Sequence, residues 1–166
     1  SYGRKESKVF ARRILEGLAA QGIHAWYDQN DIPLATDYQE EINRAIDRSH
    51  NFVFIIAPHA VNSPYCLLEV ERAVSRRKRI IPILHIEEGW DISQLHPTLR
   101  KLNWIYMREK LNREQPQEAW QPLDDFEKGL AGLVKIMQEE SDYVRQGTVL
   151  LQKAVEWERH QKSTTP

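Results

Sequence analysis

The segment over residues 63–69 carries the side chains with the clearest potential for chemistry. It includes Tyr65, Cys66 and, at its end, Glu69. At helical spacing these three share a face, which would place a carboxylate beside an aromatic ring and a thiol in one cleft. A carboxylate held in a cleft can stabilise a developing positive charge or attack as a nucleophile. Glu69 is therefore the first candidate for a catalytic residue, and a solvent-exposed glutamate on a charged helix is the alternative interpretation.

A second group of charged residues lies where predicted strands and helices meet. Arg4 and Lys5 stand at the start of the first helical pattern, and Asp28 directly follows an aromatic and branched run at residues 23–27. Ligands of parallel sheets bind at the carboxyl ends of the strands, which is where Asp28 is expected. Solvated charges at a helix start explain Arg4 and Lys5 equally well.

The rest of the composition excludes several kinds of site. The six histidines show no metal-ligand spacing, and there is no glycine-rich phosphate loop, so we predict neither a metal nor a cofactor. Lys plus Arg is 23 and Asp plus Glu is 24, and a net charge of -1 gives no general attraction to nucleic acid or to an anionic membrane. A response-regulator receiver is excluded because Ala57-Pro58 follows the apolar strand where it needs an aspartate.

The elements that must position these residues alternate between helix and strand. The apolar runs at residues 52–57 and 80–84 lack alternation, as is typical of parallel strands covered on both faces. The pattern predicts strands at residues 23–27, 52–57, 80–84 and 104–106, and helices at residues 5–21, 37–49, 63–78, 123–137 and 143–157. This indicates an α/β fold, a flavodoxin-like parallel sheet of about five strands with helices on both faces, plus a C-terminal helical extension.

Length and composition also bear on location. The 166 residues suit one globular domain with a short appendage. The single cysteine, Cys66, favours a reducing compartment. No apolar run approaches the roughly 18 to 20 residues of a membrane span, and the first residues have no signal-peptide core. We therefore expect a cytoplasmic location.

Three segments together resemble a known family. Residues 1–5, 26–33 and 63–69 are similar, in order, to the boxes of TIR (Toll/interleukin-1 receptor-like) domains, and the third resembles the S-x-x-C-x-x-E element of the bacterial, NAD-cleaving type. The resemblance implies a TIR domain over residues 1–138, with its first strand upstream of Ser1. Residues 139–166 are expected to form a helical extension or linker toward a downstream region.

The resemblance also implies roles for particular residues. Glu69 matches the catalytic glutamate, and Tyr65 lies where the family usually has a tryptophan that stacks on the substrate. Asp28 is similar to the acidic residue near the distal ribose, and Arg4 would meet the diphosphate or a ribose hydroxyl. Ser63 is expected to cap its helix and to contact the ligand as well.

The activity that this resemblance implies is NAD⁺ glycohydrolysis, with NAD⁺ as substrate. Nicotinamide leaves as a neutral molecule because its ring nitrogen is already cationic, so one carboxylate can suffice where ordinary glycoside hydrolysis uses two. The product would be ADP-ribose or a cyclic isomer, in bacterial defence or cell-death signalling. Other TIR domains are the expected protein partners, through self-association at residues 31–37. The alternative is a TIR scaffold that recruits other TIR domains without turnover.

Overall fold

The structure is a computed structural model that describes residues 1–28 and 34–139, together with Lys153 and Trp157. The chain divides into two compact units, residues 1–132 and residues 133–166. In chain order the elements are α1 (Arg4–Ala20), α2 (Tyr38–Arg48), β1 (Asn51–Ile56), α3 (Pro58–Val61), α4 (Pro64–Ser75), β2 (Arg79–Leu84), α5 (Pro97–Lys101) and β3 (Ile105–Tyr106). Residues 126–139 are also helical, as their apolar spacing predicts.

The sheet is parallel, in the order β1-β2-β3. Val53 is paired with Ile81, and Ile83 with Ile105, so the apolar centres of the strands are in register. The parallel arrangement confirms the predicted α/β class. About five strands were expected from the sequence, and the described part of the chain contains three.

The strand predicted over residues 23–27 is not formed, and these residues follow α1 in an irregular conformation. A strand needs a neighbouring ladder. On the edge of β1 opposite β2, Ser1 donates from its amino group to the Val53 carbonyl at 2.8 Å and accepts from the Ile55 N–H at 3.0 Å. One residue offers no ladder that residues 23–27 can extend, although their branched and aromatic composition favours a strand.

Helices cover both faces of the sheet. Leu84 belongs to the core cluster on the side of α2 and α4, whereas its neighbour His85 stacks on Phe10 of α1 with ring centroids 3.9 Å apart. Successive strand side chains point to opposite faces, so α1 lies on the face opposite α2 and α4. The first cluster comprises Ile42, Ile46, Phe52, Phe54, Ile56, Ala60, Cys66, Val70, Ala73, Leu84, Leu95 and Leu99. Burial of each larger side chain stabilises the fold by about 1.5–3 kcal/mol.

The helix ends follow from local residue types. Asp37 caps α2 by accepting from the Glu40 N–H at 2.8 Å. Gly22, just beyond α1, has a φ of +73°, a conformation that glycine adopts at little cost. These features confirm the predicted end of the first helix and the start of the second.

The second unit is described only in part. Residues 133–139 are helical, and of the helix predicted over residues 143–157 only Lys153 and Trp157 are described. Both have helical backbone and both are exposed. The remainder of that prediction lies outside the described residues. Among the helices that the structure describes, none is long and apolar enough to cross a membrane.

Candidate functional site

Glu69 is carried by α4, whose position is fixed by its first turn. Ser63 is the N-cap and its hydroxyl accepts from the Cys66 N–H at 3.3 Å, while Pro64 occupies the first helical position. The buried stripe of the helix runs through Cys66, Val70 and Ala73. Glu69 lies next to this stripe and is partly buried. The helix is therefore anchored on the core with the carboxylate at its margin.

A group of polar side chains surrounds Asp28, and we call Tyr2, Arg4, Asp28 and Tyr38 the Asp28 cluster. Arg4 Nη2 lies 2.6 Å from Asp28 Oδ2, and the Tyr38 hydroxyl donates to the same oxygen at 2.5 Å. Tyr2 donates from its hydroxyl to Asp28 Oδ1 at 3.1 Å. Arg4 also donates to the Tyr38 hydroxyl. Both carboxylate oxygens of Asp28 are thus occupied by donors from the chain itself.

The hydrogen bonds in this cluster decide its protonation. Burial alone would raise the pKa of Asp28, but hydrogen bonds from Tyr38, Arg4 and Tyr2 outweigh it and hold that pKa below its usual value. Burial and the bond to Asp28 raise the pKa of Tyr38 to about 12. At neutral pH the cluster therefore holds a carboxylate, a guanidinium and protonated phenols.

Glu69 lies within electrostatic range of the Asp28 cluster. Helices α2 and α4 are in contact, and Tyr38 is the first residue of α2. Burial is the main cause of the raised pKa of Tyr38, and the Glu69 carboxylate adds to it. The same holds for the pKa of the Cys66 thiol, which burial raises and Glu69 raises further. Tyr38 thus bonds to Arg4 and Asp28, and its helix contacts the helix that carries Glu69.

Tyr65 and Cys66 lie on different stripes of α4. Tyr65 is 68% exposed, whereas Cys66 is buried beneath the helix. The expected single face for Tyr65, Cys66 and Glu69 is therefore not observed. The reason is that Cys66 belongs to the core stripe with Val70, four residues on, while Tyr65 and Glu69 form the neighbouring stripe.

Ser63 borders a cavity that is distinct from the Asp28 cluster. The cavity has a volume of about 200 Å³. Its lining consists of Phe54, Ala60, Val61, Asn62, Ser63, Pro64, Leu67, Gln94, Leu95, His96 and Leu99. Arg4, Asp28 and Glu69 are not among these residues. Four of the five predicted site residues therefore lie outside this cavity, and only Ser63 contacts it.

Sequence reasoning missed the tyrosines of the Asp28 cluster. Tyr2 stacks on Tyr27 with ring centroids 5.5 Å apart, and their hydroxyls are 3.0 Å apart. A partly buried phenol generally needs a hydrogen-bond partner, and this requirement is the signal in the sequence that could have indicated them. The partner could not be identified from spacing, because Asp28 lies 26 residues from Tyr2 and 10 from Tyr38.

A second polar network, also missed, lies inside the fold. Ser7 Oγ is 2.9 Å from His85 Nδ1, and His85 Nε2 is 2.9 Å from Glu109 Oε2. Arg13 Nη1 lies 2.5 Å from Glu109 Oε1. The order serine, histidine, carboxylate resembles that of a hydrolase triad, but Ser7 and His85 have no solvent exposure. Without access for a substrate, this network has a structural role.

The Asp28 cluster can bind a polar ligand, and the Glu69 carboxylate can stabilise a positive charge or attack as a nucleophile. Arg4 is half exposed and keeps guanidinium donors for an anionic group. The hydrogen bonds from Tyr2, Arg4 and Tyr38 occupy three of the roughly four lone-pair sites of the Asp28 carboxylate, so Asp28 can still accept from a ligand hydroxyl. In the part of the chain that the structure describes, no group of three or more His, Cys, Asp or Glu side chains could hold a metal ion.

Comparison with known proteins identifies the family of this chain. One similar protein is a probable 2′ cyclic ADP-D-ribose synthase, BdTIR, from Brachypodium distachyon, 31% identical over 111 residues, 67% of this chain and 49% of the relative. The chain thus spans about half the length of this relative.

Solved structures of TIR proteins have a similar fold. The TIR domain of the Toll-related receptor TRR-2 from Hydra magnipapillata has a TM-score of 0.54 at 18% identity, covering 63% of this chain and 78% of that one. A metazoan TIR-STING receptor from C. gigas, in complex with 2′,3′-cGAMP, has a TM-score of 0.54 at 25% identity, covering 65% and 34%. The TIR domain family matches residues 1–123. The chain therefore belongs to the TIR domain family.

Proposed function

We propose that this chain is an NAD⁺-cleaving TIR enzyme in which Glu69 supports departure of nicotinamide. The observation that carries the proposal is the position of Glu69, which is partly buried on α4 where that helix contacts α2, the helix that begins with Tyr38 of the Asp28 cluster. The Brachypodium relative, named as a probable cyclic ADP-ribose synthase, supports the same substrate class.

The chemistry balances with one carboxylate. The bond between the ribose anomeric carbon and the nicotinamide nitrogen breaks, and its electron pair neutralises the cationic ring, so the leaving group needs no proton. The ribose carbon becomes positively charged, and the Glu69 carboxylate stabilises that charge or attacks it. Water then completes hydrolysis to ADP-ribose, or a hydroxyl of the same molecule closes a cyclic isomer.

The Asp28 cluster would hold the part of the substrate that does not react. Asp28 would accept from ribose hydroxyls, and Arg4 would donate to the diphosphate, as bidentate arginine contacts favour. Tyr65, exposed on the same stripe of α4 as Glu69, would stack on a ring of the substrate. Ser63 would act mainly through the cap of α4, with a ligand contact as its second role.

A second candidate function is a TIR scaffold, and exposed apolar residues favour it. Leu67 and Leu68, which are adjacent on α4, are 44% and 54% exposed, and Leu34, in the segment that separates Asp28 from α2, is 97% exposed. Such surfaces mark protein contacts when they are contiguous. We propose that self-association with other TIR domains uses residues 31–37 and raises activity, in bacterial defence or cell-death signalling. Residues 31–33 lie outside the described part of the chain.

The test compares nicotinamide release from NAD⁺ by the wild type, Glu69→Gln and Glu71→Gln at several protein concentrations. Glu71 is an exposed glutamate of the same helix and serves as the matched control. Loss of one preorganised electrostatic group should lower the rate by about 10²- to 10³-fold in Glu69→Gln, with the control at the wild-type rate. Equal rates in all three proteins would overturn the assignment of Glu69. Oligomers without turnover would favour the scaffold.

A further inference from the structure

Tyr38 contacts two of the proposed substrate-binding residues, Arg4 and Asp28, and its helix contacts the helix that carries Glu69. Its hydroxyl donates to Asp28 Oδ2 at 2.5 Å and accepts a hydrogen bond from Arg4. The Arg4 guanidinium also lies over its ring, 5.7 Å from the centroid. The charge of Glu69 acts on the same phenol.

The contacts of Tyr38 join segments that are distant in sequence. Arg4 begins α1, Asp28 precedes residues 29–37, and Tyr38 begins α2 directly after them. The hydroxyl therefore ties together three segments that are separate in sequence.

Core packing does not account for the choice of a tyrosine here. The Tyr38 side chain is 44% exposed, and the buried apolar stripe of α2 is formed by Ile42 and Ile46. A phenylalanine would keep the ring and its contact with Arg4 but would lose both hydrogen bonds. Asp28 Oδ2 would then keep Arg4 as its donor and lose the phenol.

We propose that Tyr38 is a positioning residue for the Arg4–Asp28 end of the substrate site, whereas Glu69 is held by α4 itself. This inference rests on the proposed function. Tyr38 holds Asp28 and Arg4 in the orientation that NAD⁺ meets, so its hydroxyl contributes to ground-state and transition-state binding alike. Its removal should therefore raise KM and leave kcat nearly unchanged.

The experiment compares the steady-state kinetics of wild type, Tyr38→Phe and Tyr106→Phe. Tyr106 is an exposed tyrosine of β3 whose contact with Arg108 a phenylalanine retains. We expect KM for NAD⁺ to rise about tenfold or more in Tyr38→Phe, the effect of losing a hydrogen bond to a charged group, with kcat and Tm close to wild type. The Asp28 carboxyl, titrated by NMR, should show a raised pKa in Tyr38→Phe alone.

The outcomes separate this inference from the proposed function. If the wild type releases nicotinamide and Tyr38→Phe has the wild-type KM, the role of Tyr38 is overturned while the function stands. A lower Tm with unchanged KM would also overturn it, because that is the result of a structural role only. If the wild type does not turn over NAD⁺, calorimetric affinity for NAD⁺ decides: weaker binding by Tyr38→Phe supports the inference, and equal binding or no binding overturns it.

Discussion

Replacing Glu109 by glutamine perturbs the buried network with almost no change in shape. The carboxylate receives two donors, Arg13 Nη1 at 2.5 Å and His85 Nε2 at 2.9 Å, one on each oxygen. The pKa of Glu109 is held below its usual value because these two bonds outweigh the opposing effect of burial. Glutamine offers one oxygen and one NH₂ group, so one of the two donors must face another donor.

The exposure of the two donors sets the magnitude. His85 has no solvent exposure, so the glutamine oxygen is expected to remain with it. Arg13 is 42% exposed and can turn to water, which limits the loss on that side. An unsatisfied or weakened buried hydrogen bond costs roughly 1–3 kcal/mol. We expect Glu109→Gln to lower the free energy of unfolding by about 2 kcal/mol, or Tm by roughly 4–8 °C for a chain of this size.

The assay is urea unfolding followed by tryptophan fluorescence, with Glu118→Gln as control. Trp120 lies 6.2 Å from His85 between ring centroids and reports on this region. Glu118 is exposed nearby and should be replaceable without effect. If the free energy of unfolding of Glu109→Gln lies within about 0.5 kcal/mol of the wild-type value, the size of an ordinary surface substitution, the two hydrogen bonds of Glu109 do not stabilise the fold as proposed.

Two further predictions concern stability. Burial lowers the pKa of His85 in the folded state. At a pH between the folded and unfolded pKa values the unfolded state therefore binds more protons. The free energy of unfolding should fall as the pH falls below the unfolded pKa of about 6.5. The urea midpoint should therefore be lower at pH 5.5 than at pH 7.5, with a smaller difference in His85→Gln, and equal midpoints for the wild type would contradict this. A Cβ at Gly3 would lie 2.6 Å from the Ala60 backbone nitrogen, so Gly3→Ala should cost about 1–3 kcal/mol, whereas Gly132→Ala, where a Cβ meets nothing within 4 Å, should be neutral or stabilising. A Tm for Gly3→Ala at or above that of Gly132→Ala would contradict the packing argument.

Local patterns in the sequence predict much of the fold. Unbroken apolar runs identify β1 and β2 as buried parallel strands. The Ser63-Pro64 pair predicts the start of α4, and Gly22 the end of α1. Residues 23–27 show the limit, because strand composition is local whereas a strand requires a ladder partner from elsewhere in the chain.

The sequence predicts a residue of the candidate site only where its local motif or its position in the fold indicates a role. The motif predicts Glu69 as a site residue, and the positions of Arg4 and Asp28 predict a role for these two, which the structure brings into contact. Tyr38 was missed because its role depends on contacts with residues 10 and 34 positions away. Helical periodicity likewise does not state which of two adjacent stripes faces the core, so Cys66 was placed with Tyr65 and Glu69.

The most direct test of the account is an experimental structure of Glu69→Gln with NAD⁺ bound. The substitution should prevent turnover and keep the substrate in place. We expect the side chain at position 69 to lie about 3–3.5 Å from the ribose carbon that bears nicotinamide, the distance of a near-attack arrangement, with Arg4 and Asp28 at the far end. A nicotinamide ribose bound remote from position 69, for example within the cavity beside Leu95 and His96, would contradict the role of Glu69.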